Sequence, residues 1–359
     1  MTVHTTVEPT HHLPTRPLAR SGLTASTLTL GTMTFGVETN EAEAFRQLDR
    51  FSAAGGTLID SADAYADGES ERIVGRWLAD RRPDDLLVST KGRFAPPSGS
   101  SGASRRGLVR AVDASLDRLG VEAIDLYLVH GWDVDTPILE TLRTLTDLVA
   151  AGKLHHIGWS NVTGWQLSEI VTTARLDGLV EPCVVQPQYN LLDRGIEPEV
   201  LPACLSYELA VTPWSPLGGG WLTGKYTPDQ RPTGATRLGE DPGRGVEAYD
   251  TRNTDRTWRV IDVLTAVADE QGRPPGHVAI AWLLTRPGVA SVLLGARTVD
   301  QLEQNLGAAS VELSDDQVAR LTEASAPGLP PYPYGMIEDF CGVDVWRRLG
   351  TTPSSATTG

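Results

Sequence analysis

The chain has 359 residues, 40% hydrophobic and 21% charged, a globular composition with room for one large barrel or two smaller domains. Its 31 Lys and Arg against 46 Asp and Glu leave a formal charge of −15, which argues against nucleic-acid or anionic-membrane binding, because both need a basic face. No apolar stretch reaches bilayer-spanning length, residues 1–17 lack the apolar core of a signal peptide, and Cys183, Cys204 and Cys341 lack metal-ligand spacing, so a cytoplasmic protein with buried thiols at Cys183 and Cys204 is expected.

Residues 1–17 are polar and read as a disordered tail. Strands are then predicted over 28–30, 57–60, 86–90, 124–129, 154–159, 183–186, 210–214 and 290–294. Helices are predicted over 41–54, 69–81, 104–119, 136–151, 163–177, 197–208, 255–272 and 276–286. The first helix carries Ala44, Phe45, Leu48 and Phe51 at helical spacing before Gly55-Gly56 stops it, and the second carries Ile73, Val74 and Trp77. Short apolar strands, nearly all followed by a helix and with no shift of composition, predict a single (β/α)₈ TIM barrel over residues 18–325. Three segments break the alternation: 94–106, the polar stretch 226–254, and the tail 326–359 with its Pro-Pro-Tyr-Pro-Tyr run. The first two follow strands on the carboxyl-end rim, where functional loops belong. The tail is expected to close the substrate pocket, with 351–359 frayed.

Four polar residues lie at or just past the ends of apolar strand runs. Asp60 ends Leu58-Ile59, Tyr65 lies five positions on, Lys91 follows 86–90, and His130 follows Leu126-Tyr127-Leu128-Val129. Singly, an aspartate there usually caps a turn, a tyrosine packs, a lysine is solvated and a histidine is a satisfied rim residue. Together on one barrel rim they make a proton-donating site for a carbonyl. Free tyrosine, with a pKa of about 10, is a weak donor near neutrality. A nearby ammonium lowers that value, and Lys91 is placed to act so on Tyr65, with Asp60 holding Lys91 and His130 aiming the carbonyl oxygen. Phe35, Phe94 and Trp132 are expected to line the substrate pocket, with Trp159 and Trp221 as further candidates. A metal-dependent reaction through Asp60, His130 and Asp133 lacks a two-histidine, one-carboxylate set. Gly218-Gly219-Gly220 does not open a strand–turn–helix unit, so it is not a Rossmann fingerprint.

Several motifs occur in a fixed order. They are Leu30-Gly31-Thr32-Met33-Thr34-Phe35-Gly36, Leu58-Ile59-Asp60-Ser61-Ala62-Asp63-Ala64-Tyr65, Ser89-Thr90-Lys91, and Asp125-Leu126-Tyr127-Leu128-Val129-His130. Gly152-Lys153-Leu154 through Trp159-Ser160-Asn161, Gln186-Pro187-Gln188-Tyr189-Asn190, Pro213-Trp214-Ser215-Pro216-Leu217 and Gly295-Ala296-Arg297 through Gln304-Asn305 follow. This series, over about residues 18–311, resembles the aldo-keto reductase superfamily. The long segment after strand seven, and Trp214 where many relatives carry tyrosine, resemble its bacterial long-loop branch, which includes deoxysugar-pathway and general stress reductases.

The resemblance implies an NADPH-dependent reductase of an aldehyde or ketone, with Tyr65 as proton donor and NADPH (NADP+ after turnover) extended across the barrel mouth. It implies that Ser160, Asn161 and Gln186 hold the nicotinamide carboxamide and that Trp214 stacks on the ring. Ser215, Leu217, Thr223 and Lys225 would follow the pyrophosphate, with Thr32, Met33, Asp60, Pro216 and Gly219 also against the cofactor. Many relatives hold the 2′-phosphate with a lysine and an arginine; those positions are Gly295 and Gln301 here. Arg297 remains as a bidentate phosphate ligand, beside Gln301, Gln304 and Asn305. NADPH is therefore expected, with NADH the runner-up. The expected partner is a small carbonyl compound. The rival reading is a regulatory or binding protein on the same fold, as potassium-channel β subunits show.

Overall fold

Each of the eight apolar runs becomes a parallel strand, and their order in space is their order in sequence. The computed structural model describes residues 12–341 apart from 84, 95–101, 235, 242, 244 and 329. The first eleven residues of the expected tail, the middle of the loop after the third strand, and the end of the C-terminal tail lie outside the described residues. Strands β1 (Thr15–Pro17) and β2 (Thr24–Ser26) form an antiparallel hairpin. The barrel strands are β3 (Leu28–Gly31), β4 (Leu58–Asp60), β5 (Leu87–Gly92), β6 (Ile124–Val129), β7 (Leu154–Ser160), β8 (Val184–Gln186), β9 (Ala210–Val211) and β10 (Val292–Gly295). They pair in the order β10-β3-β4-β5-β6-β7-β8-β9. The ring closes between β9 and β10 through Val211 N–H to Gly288 O at 2.8 Å, Ala290 N–H to Val211 O at 3.0 Å and Leu293 N–H to Pro213 O at 3.0 Å. The result is the expected (β/α)₈ barrel.

Helices α1 (Glu41–Ala53), α2 (Glu69–Arg81), α3 (Arg105–Leu119), α4 (Ile138–Ala150), α5 (Gly164–Leu176) and α6 (Val200–Tyr207) follow β3 to β8 in turn. After β9 come the short helices α7 (Arg237–Glu240) and α8 (Tyr249–Arg252), then α9 (Asp255–Gln271) and α10 (Pro275–Leu284). After β10 come α11 (Val299–Leu306), α12 (Asp315–Ala324) and α13 (Met336–Cys341). Helices α11 and α12 were not anticipated from apolar spacing, yet each carries a local start signal. Thr298 Oγ1 accepts from Gln301 N–H at 3.2 Å, and Ser314 forms a capping box with Gln317. No described helix is long and apolar enough to cross a membrane.

The N-terminal boundary differs from expectation. Residues 12–17 belong to the fold: Leu13 is buried, and Arg16 donates to Leu284 O at 2.9 Å and Val289 O at 2.8 Å. The hairpin brings Leu18 and Ala25 into one buried cluster with Leu58, Leu126, Leu128, Val184, Ala210 and Ala290. Leu58, Leu126, Leu128 and Val184 lie two or four positions before the rim residues Asp60, His130 and Gln186, so the hairpin plugs the barrel's amino-terminal end. A polar stretch is ordered because two apolar side chains have this floor to cover. The second, larger cluster packs the outer strand faces against the helices, including Leu30, Ile59, Val88, Tyr127, Ile157 and Val185.

One buried ion pair ties the segment after β8 to the end of α12. Arg194 meets Glu197 through two hydrogen bonds of 2.7 Å and also donates to Thr322 O at 2.5 Å and Ser325 Oγ at 2.9 Å. Tyr189 Oη donates to Glu197 Oε1 at 2.5 Å. Removing one partner leaves the other charge buried and unpaired. Arg194→Ala is expected to lower the unfolding free energy by about 3–5 kcal/mol, measured by urea denaturation, and Arg194→Met with Glu197→Leu by less. A loss below about 1 kcal/mol for the single variant would contradict a stabilising pair.

Candidate active site

Side chains alternate along a strand, so the residues two positions above the apolar plug face the same interior. On β4 Leu58 leads to Asp60, on β5 Leu87 to Ser89 and Lys91, on β8 Val184 to Gln186, and past β6 Leu126 and Leu128 to His130. The barrel therefore changes from apolar to polar as it rises to its carboxyl end. Lys91 Nζ donates to Asp60 Oδ2 at 2.5 Å, Ser61 O at 2.7 Å and Tyr65 Oη at 3.2 Å. Asp60 Oδ1 also accepts from Ser89 Oγ at 3.1 Å and Gln186 Nε2 at 2.9 Å. Tyr65 opens a 3₁₀ turn, Tyr65–Gly68, and its ring stands edge-on to His130 with centroids 6.0 Å apart. The structure thus brings all four strand-end residues together.

Burial decides the protonation states. Burial opposes the Lys91 charge, but Asp60 and Tyr65 oppose burial more strongly, and the ammonium's pKa is raised. Burial also raises the Tyr65 phenol, with Lys91 pulling it down and Asp60 pushing it up; the net direction is upward. The expectation that Lys91 lowers the Tyr65 pKa holds for the direction of its own effect and not for the sum, because desolvation outweighs it. The phenol therefore retains its proton. His130 is lowered to about 3, by burial first and then by the charges of Lys91 and Arg93, so its imidazole is neutral near pH 7.

A second buried acid layer lies behind the first. Glu71 accepts from Thr90 Oγ1 at 2.5 Å and Arg118 Nε at 2.6 Å. Asp63 is 3% exposed, and its Oδ1 has no hydrogen-bond partner among the described residues. Burial, then Glu71, raises its pKa to about 7.

A cleft of about 610 Å³ runs over the rim from Tyr65 and His130 to Gln304 and Asn305. Met33, Asp60, Ser160, Asn161, Gln186, Trp214, Ser215, Pro216, Leu217, Gly219, Thr223, Lys225, Gly295, Arg297 and Gln301 also line it, so these expected cofactor contacts are brought together. Asn161 and Ser215 are both held at φ 55°, a region few side chains adopt. Asn161 Nδ2 donates to His130 O at 3.0 Å and its Oδ1 accepts from Trp214 Nε1 at 3.1 Å. Asn190 Nδ2 donates to Ser215 O at 2.8 Å, and Ser215 Oγ bonds Glu247. Gly219 and Gly220 have positive φ, and a Cβ on either would meet Glu247 Oε2 at 2.6 Å or Lys225 Nζ at 2.7 Å. That bare backbone beside Lys225, Arg237 and Arg297 suits an anionic, extended ligand, so the residues present fit a nicotinamide dinucleotide.

Four expectations, Thr32, Phe35, Trp159 and Trp221, fall elsewhere. Thr32 is buried, its Oγ1 hydrogen-bonding Asp60 O at 3.1 Å and Ser70 Oγ at 2.6 Å, so it braces the site from behind. Phe35 is wholly buried in the outer core because the turn ending at Gly36 folds it inward. Trp159 precedes Ser160 on β7 and faces the helices; Trp221 packs against Tyr226, Tyr249 and Trp258. Asp133 caps its loop, accepting from Ala103 N–H at 2.6 Å and Thr136 Oγ1 at 2.7 Å. Phe94 does reach the site, packing tilted against His130 with centroids 4.6 Å apart, and Trp132 meets Trp165 at 5.4 Å. In the C-terminal tail, Tyr334 Oη donates to Glu199 Oε1 at 2.8 Å. Sequence reasoning missed Glu38, Thr236 and Arg237, which line the cleft, and Trp165 at the start of α5. Glu38 and Arg237 are scattered charges, Thr236 is a lone hydroxyl and Trp165 a lone aromatic in the first turn of a helix, with no spacing to single them out.

Comparison with known proteins agrees with this geometry. The profile of the aldo/keto reductase family matches residues 27–326. The chain is 35% identical over 297 residues to norsolorinic acid reductase of Emericella nidulans, covering 80% of this chain and 73% of that one. It is also 35% identical over 285 residues to a probable voltage-gated potassium channel subunit beta of Oryza sativa subsp. japonica, covering 77% and 84%. An aryl-alcohol dehydrogenase of Pestalotiopsis microspora is 31% identical over 292 residues, covering 79% and 73%.

The pKa directions set opposing pH effects on stability. Asp63 is raised to about 7 from an unfolded value near 3.8, so its contribution is full below about pH 4 and is lost as pH rises through about 7. His130, lowered to about 3 from 6.5, contributes above about pH 6.5 and loses that as pH falls toward 3. Asp63→Asn abolishes the first effect alone. Urea midpoints at pH 4.5 and pH 8 are expected to show the variant gaining on the wild type at the higher pH; a difference independent of pH would refute the buried, titrating carboxyl.

Proposed function

The chain belongs to the aldo/keto reductase family, and from that premise we propose that it is an NADPH-dependent reductase of aldehydes or ketones in its long-loop branch. The observation that carries this reading is the 3.2 Å hydrogen bond from the fully buried ammonium of Lys91 to the partly buried phenol of Tyr65. When bound, the dihydronicotinamide supplies hydride to the carbonyl carbon. Tyr65 gives its proton to the carbonyl oxygen, and Lys91, held charged by Asp60, stabilises the phenolate left behind. Neutral His130 hydrogen-bonds the same oxygen and fixes its direction. Ser160, Asn161 and Gln186 would hold the carboxamide, Trp214 would take the ring, and Lys225 with Arg297 would meet the phosphates.

For substrate, we favour aryl aldehydes and ketones. Phe94 packs against His130, and Trp132, two residues past His130, packs against the exposed Trp165; these two aromatic pairs suit an aryl substrate. The names of the norsolorinic acid reductase and aryl-alcohol dehydrogenase relatives support that class. The potassium channel subunit beta relative supports a second reading, a cofactor-binding partner protein with little turnover.

Tyr65→Phe separates the two. With NADPH and a panel of aryl aldehydes, kcat is expected to fall on the order of 10²–10⁴-fold while the NADPH Kd stays within about twofold. A variant retaining most of its rate would reject Tyr65 as donor. A wild type that binds NADPH but turns over none of the panel would favour the partner protein.

A further inference from the structure

Arg297 is the guanidinium expected to meet a 2′-phosphate, and it is already engaged. Its Nε donates to Glu38 Oε2 at 2.9 Å, and its second terminal nitrogen lies 2.8 Å from Glu240 Oε2. The two carboxylates come from different segments, one before α1 and one between β9 and α9. Glu38 lies in the turn after β3, where its N–H donates to Thr34 O at 3.0 Å. Thr39, next along, donates through Oγ1 to Arg297 O at 3.1 Å. Glu240 ends the four-residue helix α7, and its side chain is 48% exposed against 23% for Glu38. One carboxylate is built into a hydrogen-bonded turn; the other sits on a short, exposed element.

A phosphate arriving at Arg297 must take the place of a carboxylate or lie beside two of them, and like charges at that separation repel. A ribose 2′-hydroxyl carries no charge and can instead donate to a carboxylate. Resting on the reading of this cleft as a dinucleotide site, we propose that Glu240 is a specificity-determining residue: it competes with the 2′-phosphate for Arg297, so that NADPH binding releases α7 whereas NADH binding leaves it in place. Glu38, held by its turn, keeps Arg297 oriented in both cases. Selection between the cofactors is thereby coupled to the segment between β9 and α9, and the coupling is reciprocal. Whatever frees Glu240 tightens NADPH, and NADPH frees Glu240.

The test uses the full chain. Fluorescence titration of wild type and Glu240→Gln with NADPH and with NADH gives four Kd values, and hydrogen exchange of residues 237–240 is followed with each cofactor bound. We expect Glu240→Gln to tighten NADPH by about fivefold and to leave NADH within about twofold. In the wild type, exchange at α7 is expected to be faster with NADPH than with NADH. Equal changes for both cofactors, weaker NADPH binding by the variant, or the same exchange with either cofactor would overturn the competition while leaving the dinucleotide reading intact. No binding of either cofactor to the wild type would overturn both.

Discussion

A charged lysine with no exposed surface is costly unless its partners are fixed before it is buried. Lys91 meets that condition through Asp60, Ser61 O and Tyr65 Oη. Asp60 is held in turn by Ser89 and Gln186, so three strands, β4, β5 and β8, must converge within hydrogen-bond reach. An open sheet would place β4 and β8 far apart; a closed barrel places them across a narrow interior. The ion pair thus requires closure, and closure gives the pair its dry surroundings. Its consequence is local: the ammonium faces a phenol that burial keeps protonated, which is the combination a proton donor needs.

The rest of the site is arranged around that pair by simple alternation. Inward positions are apolar near the hairpin plug and polar near the rim, so one strand face supplies both floor and chemistry. Above the rim, regularity gives way to constrained backbone. Asn161 and Ser215 adopt φ 55°, each stabilised by side-chain hydrogen bonds to neighbouring loops. Gly219 and Gly220 lack the Cβ that would collide with Glu247 and Lys225 packed against them. Strained positions held by several neighbours are characteristic of ligand clamps. The cations Lys225, Arg237 and Arg297 gather at the far end, interleaved with Glu38, Glu240 and Glu247.

What could be read in the sequence was whatever depends on local spacing. All eight barrel strands and the tetrad follow from apolar runs ending in particular polar residues. Trp159 was misplaced although the same rule resolves it, since Ser160 faces inward and its neighbour cannot. Phe35 and Trp221 carried no such signal: a turn at Gly36 and packing among Tyr226, Tyr249 and Trp258 decided them. The hairpin was hidden because its stability lies in plugging a barrel bottom assembled from distant strands. The pairing of Arg297 with Glu38 and Glu240 joins residues 259 and 57 positions apart, and only the folded chain brings them together.

The most direct measurement removes both charges of the central pair at once, so that neither is left buried alone. Asp60→Asn with Lys91→Met should stay folded and bind NADPH, with kcat for aryl aldehyde reduction lowered on the order of 10²–10⁴-fold. A folded double variant that keeps more than about half of the wild-type kcat would show that the buried ammonium does not activate Tyr65.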